Sequence, residues 1–341
     1  MVTVAAHENG AVLLQKNFPE LRILPLAGYE IRYGSSRATF TARIVLQIPK
    51  ILAAIRRENH WLRRTLAAEP FDVVISDNRY GLYHPVPYSV ILTHQLRIIT
   101  GLGGVADRLL QRLHYRLLNR FDACWVVDGK EWPDLGGALS HPAQKPKNPQ
   151  YIGPLSQFEA GNSGHEAVPG KILFLLSGPE PMRGLLENKL IVQASRLPSY
   201  RFVMVAGSVG QQKPAVVPPN MTYHAWLEAK ALQAEIESCE LVVCRSGYST
   251  LMDLWVLGKK ALLVPTPGQS EQEYLAKNLQ DQAVFPVRQQ EDLNLETDIP
   301  SALQFQGFGA REKRLEAPAF QAVTDILLEK LSAPAPGFRQ M

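Results

Sequence analysis

LVVCRSGYSTLMDLWVLGKKALLVPTPGQSEQEYLAKN, residues 241–278, is the stretch that decides the fold class. The β-branched run at 241–244 has the length of a buried strand and stops at the polar loop Arg245-Ser246-Gly247-Tyr248-Ser249. An apolar segment of helical spacing, 251–257, ends at Gly258, a residue suited to a helix C-terminus. A second strand pattern, 261–264, stops at Pro265, and another loop leads into a helix near Gln272. Strand, loop and helix therefore follow one another twice. That order predicts a parallel α/β sheet, in which ligands bind beyond the carboxyl ends of the strands, where both loops lie.

The alternation extends in both directions. Residues 171–176, 201–206 and 221–224 read as strands, and 183–196 and 229–238 as helices. Nearer the amino end, 2–6, 23–26, 72–76, 89–93 and 123–127 are strand-like, whereas 44–66 and 107–121 are helical. Between 132 and 170 the composition turns to Pro, Gly, Asn, Gln and Lys, which marks a linker. The expected division is an N-terminal Rossmann-like domain at 1–155, a second at 156–310, and a helix with a loose tail at 311–341. A length of 341 residues suits two cores better than one. With 46% hydrophobic and 20% charged residues this is an ordinary globular composition, and a net charge of +4 gives no argument for a nucleic-acid partner. Cys124, Cys239 and Cys244 are too few and too scattered for a disulfide framework or a zinc site, so a reducing cytoplasm fits. No apolar run approaches the roughly 18 residues of a membrane span, and the first residues lack the pattern of a signal peptide.

The loops after the strands carry the candidate chemistry. A helix N-terminus at Gly247 to Asp253 offers unpaired N–H groups and about half a positive charge, which favours phosphate. Gly247 permits close backbone approach, Ser249 and Thr250 add hydroxyls, and Arg245 adds a full charge. Thr250-x-x-Asp253 also fits a capping box, and so does Ser270-x-x-Glu273; from pattern alone both readings stay open. Ser177-Gly178-Pro179-Glu180 is either a cleft loop or a plain strand-to-helix turn. Asp77-Asn78-Arg79-Tyr80-Gly81 and Thr93-His94-Gln95 follow buried strands in the first half. His94 is the general-base candidate, since an imidazole titrates near neutrality; the alternative is that it orders its loop. Thr100-Gly101-Leu102-Gly103-Gly104 reads as a connection, not a phosphate loop. Arg108, Arg112, Arg116 and Arg120 share one helix face, and Arg56, Arg57, Arg63 and Arg64 cluster beside Trp61. Such basic surfaces either lie on anionic lipid or are simply solvated. No residue spacing suggests a metal site.

The pattern R-S-G-Y-S-T-x-x-D, followed by a strand ending in Pro and then Q-E-Y-x-x-x-N, resembles the C-terminal domain of glycosyltransferase family 28, which includes the N-acetylglucosaminyltransferase that forms lipid II. The resemblance is best over 171–285. It implies the GT-B fold, two Rossmann-like domains with parallel sheets facing a cleft. It implies an inverting, metal-independent hexosyl transfer from a nucleotide sugar, with UDP the expected nucleotide, to an acceptor hydroxyl. Gly247, Tyr248, Ser249 and Thr250 would then hold the donor diphosphate, with Ser177, Gly178, Arg245 and Ser246 also in the donor site and Arg245 helping to stabilise the leaving group. Asp253 stands where the family has a Glu on the ribose, and Gln272 and Glu273 would meet the sugar. Asp77, Asn78, Arg79 and Gln95 would lie on the acceptor side. No cofactor is implied; the partners would be the nucleotide sugar and a lipid-linked acceptor, with peripheral contact at the inner face of a membrane. The family also begins with a central strand and a Gly-rich loop ending in His. The segment from Met1 matches the family's second strand instead, so the resemblance implies donor binding with poor turnover. It also implies that the strands flanking the missing one lose hydrogen-bonding edges. Two other functions stay open: a nucleotide-sugar hydrolase or epimerase of the same fold, and a non-catalytic nucleotide-sugar-binding subunit.

Overall fold

A computed structural model describes residues 1–28, 37–99, 104–131, 134–158, 167–208, 214, 216–308 and 319–332. The C-terminal sheet comprises β7 (Lys171–Leu175), β8 (Arg201–Val205), β9 (Met221–His224), β10 (Leu241–Cys244) and β11 (Ala261–Leu263), in spatial order β11-β10-β7-β8-β9 and parallel throughout. Parallel neighbours need crossovers. They are supplied by α4 (Met182–Ala194), α5 (Ala229–Ser238) and α6 (Tyr248–Leu257), followed by α7 (Ser270–Asp281) and α8 (Leu295–Leu303). Strand order reverses between β7 and β10. The chain therefore leaves these adjacent strands toward opposite faces and opens a crevice at their carboxyl ends. Burial on both faces explains why β10 reads as a continuous Leu-Val-Val-Cys run. Phe174, Leu186, Leu190, Phe202 and Ile299 fill one face, with Phe174 stacked on Phe202 at 5.0 Å; Leu173, Val242, Leu251, Leu254 and Trp255 fill the other.

The N-terminal domain holds a four-stranded parallel sheet in order β3 (Val73–Asp77), β4 (Tyr88–Thr93), β5 (Ala123–Val126) and β6 (Pro149–Tyr151). Strands β1 (Thr3–Ala6) and β2 (Arg22–Pro25), with α1 (Glu8–Asn17) between them, form a separate parallel pair. Both β1 and β3 are edge strands among the described residues. The pair is attached by a small core of Leu26, Leu62 and Leu82, against which Ala5, Trp61 and Val74 pack.

Helix α2 (Arg37–Ala68) starts earlier than the sequence reading placed it and tolerates Pro49. Helix α3 (Gly104–Leu118) exposes Arg108, Arg112 and Arg116, together with Val105 at 76% and Leu109 at 66%. Most of the expected Thr100-to-Gly104 connection, and the expected loose tail beyond 332, lie outside the described residues. The last helix, α9 (Ala319–Ser332), packs Val323, Ile326 and Leu327 on the same core that holds Trp125 and Trp255, and sets Lys330 over the Tyr88 ring at 5.9 Å. No described helix is long and apolar enough to cross a membrane.

Candidate functional site

The crevice between β7 and β10 is bordered by two open glycines. Gly178 holds φ +101°, a conformation that disfavours other residues, and a Cβ built on it would meet nothing within 4 Å. Gly247 is the N-cap of α6, in extended conformation at φ −72° and ψ 141°, and it too opens onto empty space. No side chain caps α6, so the first-turn amides keep their hydrogen-bonding capacity and the positive end of the helix dipole is unscreened. Ser249 is exposed and Thr250 partly so, beside this terminus. The far end of α6 is closed by Gly258 at φ 63°, a left-handed C-cap.

Neither expected capping box forms. Helix α6 begins two residues before Thr250, so Thr250 cannot be its N-cap, and the Asp253 carboxylate instead accepts a 2.6 Å hydrogen bond from Ser156 Oγ. Burial pushes the Asp253 carboxyl up to about 6 against the opposing hydrogen bonds from Ser156 and Gln157. At α7 the N-cap is Gln269 and makes no side-chain cap. Gln272 Oε1 accepts from Thr266 N–H and Glu273 Oε1 from Gly268 N–H, each at 2.9 Å, so this pair shapes the loop leading into the helix. Ser246 Oγ donates to the Gln272 carbonyl at 2.8 Å and ties the two loops together.

Arg245 is a correction to the sequence reading. Its side chain is 1% exposed and turned into the protein. Nη1 donates to the carbonyls of Val264 and Pro265, and Nη2 to the Met182 carbonyl and Gln290 Oε1. Burial brings the guanidinium down to about 10, which leaves it charged at neutrality. With both terminal nitrogens committed to these acceptors, it pins the β11 loop to the start of α4 and is not aimed at a leaving group. Arg183 is likewise neutralised, by Glu180 and Glu187.

The N-terminal domain contributes the opposite wall. His94 leaves β4 and pairs Nε2 with Glu271 Oε1 of α7 at 2.8 Å. Its ring stacks on Tyr248 with centroids 4.0 Å apart and planes 9° from parallel. Tyr248 is buried and donates its hydroxyl to the Val127 carbonyl at 2.7 Å, so it serves as an interdomain wedge rather than a donor-facing group. Desolvation raises the Asp77 carboxyl and nearby His94 pulls it back. Asn78 takes φ 53° in the same turn. Arg79 pairs with buried Glu58 at 2.5 Å and also reaches the Ala27 carbonyl, while Gln95 accepts from His114 through its backbone carbonyl. Of the expected acceptor-side group, Asp77 comes near His94, whereas Arg79 faces Glu58.

Further links cross between the domains. Ser270 Oγ donates to the Ile99 carbonyl at 3.0 Å, and Ala138 N–H donates to Tyr274 Oη at 2.7 Å. Sequence reasoning missed Glu271, Ser156 and Tyr274 because each acts on a partner roughly a hundred or more residues away. It also missed Asp128, which lies fully buried and accepts from Gly129, Leu135 and Gly136 amides and from Ser140 Oγ. Asp128, Asp134 and His141 bring ligand atoms within 4.8 Å of one another. The hydrogen bonds at Asp128 already account for it as a fold-organising carboxylate.

Residues 190–315 match the glycosyltransferase family 28 C-terminal domain. One relative, the UDP-N-acetylglucosamine–N-acetylmuramyl-(pentapeptide) pyrophosphoryl-undecaprenol N-acetylglucosamine transferase of Methylobacterium sp. (strain 4-46), is 31% identical over 137 residues, 40% of this chain and 33% of that protein. The enzyme of the same description from Paraburkholderia xenovorans (strain LB400) is 25% identical across 78% of this chain and 70% of its own length. The match thus spans about a third of the first relative and more than two thirds of the second. Among solved structures, the spinosyn rhamnosyltransferase SpnG superposes with TM-score 0.65 at 16% identity over 96% of this chain and 92% of its own. MurG of Acinetobacter baumannii does so with TM-score 0.50 at 18% identity over 96% and 91%. The solved structures place the chain in the GT-B fold, and the sequence matches make it similar to the N-acetylglucosamine transferases named above, with residues 190–315 resembling the glycosyltransferase family 28 C-terminal domain.

Proposed function

We propose that the protein transfers a hexosyl group from a uridine diphosphate sugar to the hydroxyl of a lipid-linked acceptor, with inversion and without a metal. The carrying observation is the open, uncapped N-terminus of α6 at the β7/β10 switch point, with Gly178 beside it and His94 joined to α7 from the other domain. The donor diphosphate sits against the amides after Gly247, with Ser177, Ser249 and Thr250 as hydroxyl partners. Fixed dipoles aimed at a leaving oxyanion stabilise charge as it develops, a role a metal fills in other transferases. Asp253 exchanges Ser156 for the ribose hydroxyls, and the sugar lies toward Gln272 and Glu273. The acceptor hydroxyl attacks the anomeric carbon from the side of His94. As that C–O bond forms, the bond to the diphosphate breaks, its electron pair leaves with the diphosphate, and the hydroxyl proton passes to the imidazole.

Support for a lipid-linked acceptor comes from the names of the sequence relatives and from α3. Its exposed Arg108, Arg112 and Arg116 beside Val105 and Leu109 suit peripheral contact with an anionic cytoplasmic membrane face. Calorimetry with UDP, and transfer assays with and without EDTA, test the reading. Micromolar UDP binding and EDTA-resistant transfer are expected. Absence of UDP binding removes the proposal, and release of free sugar or an isomer in the presence of acceptor replaces it with a hydrolase or epimerase. Flotation with anionic vesicles tests the membrane arm: binding that is lost in Leu109→Glu is expected, and no binding removes it.

A further inference from the structure

We propose that Glu271 is the positioning residue of His94, so that the base for acceptor deprotonation is assembled from both domains. This rests on the transfer reading above and adds a role to a residue outside the donor-site pattern. Three observations define the geometry. His94 Nε2 lies 2.8 Å from Glu271 Oε1, with the two side chains 15% and 35% exposed. The ring is held flat against Tyr248, which is itself anchored by its hydroxyl to the Val127 carbonyl. No hydrogen bond engages His94 Nδ1 among the described residues, and that atom is not among the buried polar atoms left unpartnered.

These facts fix the chemistry of the ring. A carboxylate accepts and does not donate, so the neutral imidazole carries its proton on Nε2 and presents its lone pair at Nδ1. The Tyr248 stack prevents the ring from turning away. When Nδ1 takes the acceptor hydroxyl's proton, a positive charge forms on the ring, and the Glu271 carboxylate stabilises it. The same logic operates wherever a carboxylate orients a catalytic histidine. Here the carboxylate belongs to α7, one residue before Gln272, while the histidine belongs to the other domain. A displacement of the domains that breaks the pair therefore disarms the base. It also adds a side-chain link between the donor-sugar helix and the acceptor side to those made by Ser270 and Tyr274.

The test uses the full chain and two readouts. In steady-state kinetics Glu271→Gln is expected to lower kcat by about 10- to 100-fold, less than the roughly 100- to 10,000-fold that general-base catalysis as a whole contributes, and to leave the donor KM and UDP affinity within about threefold. In a His94→Ala background the same Glu271→Gln change costs less than about twofold, because the two side chains act as a unit. The second readout is independent of turnover. Nitrogen NMR of the imidazole is expected to show the Nε2–H tautomer in the wild type and a tautomer mixture in Glu271→Ala. Additive losses in the double variant or an Nδ1–H tautomer in the wild type overturns the proposal. A wild type that neither binds UDP nor transfers sugar removes the transfer reading, and with it the catalytic role of the pair; the tautomer then still reports whether Glu271 sets the ring.

Discussion

Asp253 and Arg245 show how far a residue's type leaves its role undetermined. Asp253 is ionised in the unfolded chain above about pH 4, whereas burial in the folded protein raises it to about 6. The folded state therefore binds more protons in the window between these values. The stability so contributed is fully present below pH 4 and lost as pH rises through 6, a change of roughly 3 kcal/mol for a shift near two units. Asp253→Asn removes the buried charge and keeps an acceptor for Ser156. Its urea midpoint is expected to exceed that of the wild type at pH 8 and to match it near pH 4. Equal midpoints at both pH values would show that the charge carries no penalty.

For Arg245 the prediction runs the other way. Arg245→Met strands the carbonyls of Val264, Pro265 and Met182, so it is expected to cost about 2–4 kcal/mol in urea unfolding. UDP affinity of the folded fraction should stay within about threefold. A large loss of affinity at unchanged stability would return Arg245 to the phosphate site. The sequence could not separate these roles, because an Arg after a strand looks the same whether its side chain turns toward the crevice or back into the sheet.

At the scale of elements the sequence was far more legible. The β10 and β11 runs and the stop at Gly258 were readable because burial on both faces of a parallel sheet enforces continuous apolar strands, and because a left-handed C-cap demands glycine. What remained hidden was which capping groups the helices use. Thr250 and Asp253 have capping-box spacing, yet α6 starts at Tyr248 and leaves its N-terminus uncapped. That vacancy yields a prediction at Gly247. Its φ of −72° is open to any residue, and an added Cβ meets nothing within 4 Å. Gly247→Val is therefore expected to change stability by less than about 1 kcal/mol, while a diphosphate seated on the backbone there loses at least about tenfold in affinity to the steric block. Gly207→Ala is the contrasting control. It sits at φ +67° with the added Cβ driven into the Leu176 carbonyl, and should destabilise by more than Gly247→Val. Unchanged UDP affinity in Gly247→Val would place the diphosphate elsewhere.

At the scale of the molecule the alternating pattern announced two α/β domains, but nothing local in sequence announced that they share a core. One contiguous cluster runs from Val90 and Trp125 of the N-terminal sheet to Leu173, Trp255 and Phe285 of the C-terminal domain, and α9 packs onto it. His94–Glu271, Tyr248–Val127 and Ser156–Asp253 tie the polar seams above it. Domains joined only by a linker would respond separately to a ligand on one of them. Joined by a common core, they should open together. UDP at about 100 times its Kd stabilises the state that binds it by roughly 2.7 kcal/mol. Native-state hydrogen exchange is expected to slow by a similar free energy in the amides of β4 and β5 as in β7 and β10, even though the donor site lies on the C-terminal domain. Tyr248→Phe, which deletes the hydroxyl bond to Val127 without creating a cavity, should reduce the protection transmitted to β4 and β5 and leave that of β7 and β10 intact. Slowing confined to the C-terminal sheet in the wild type would show that the shared core does not couple the two domains.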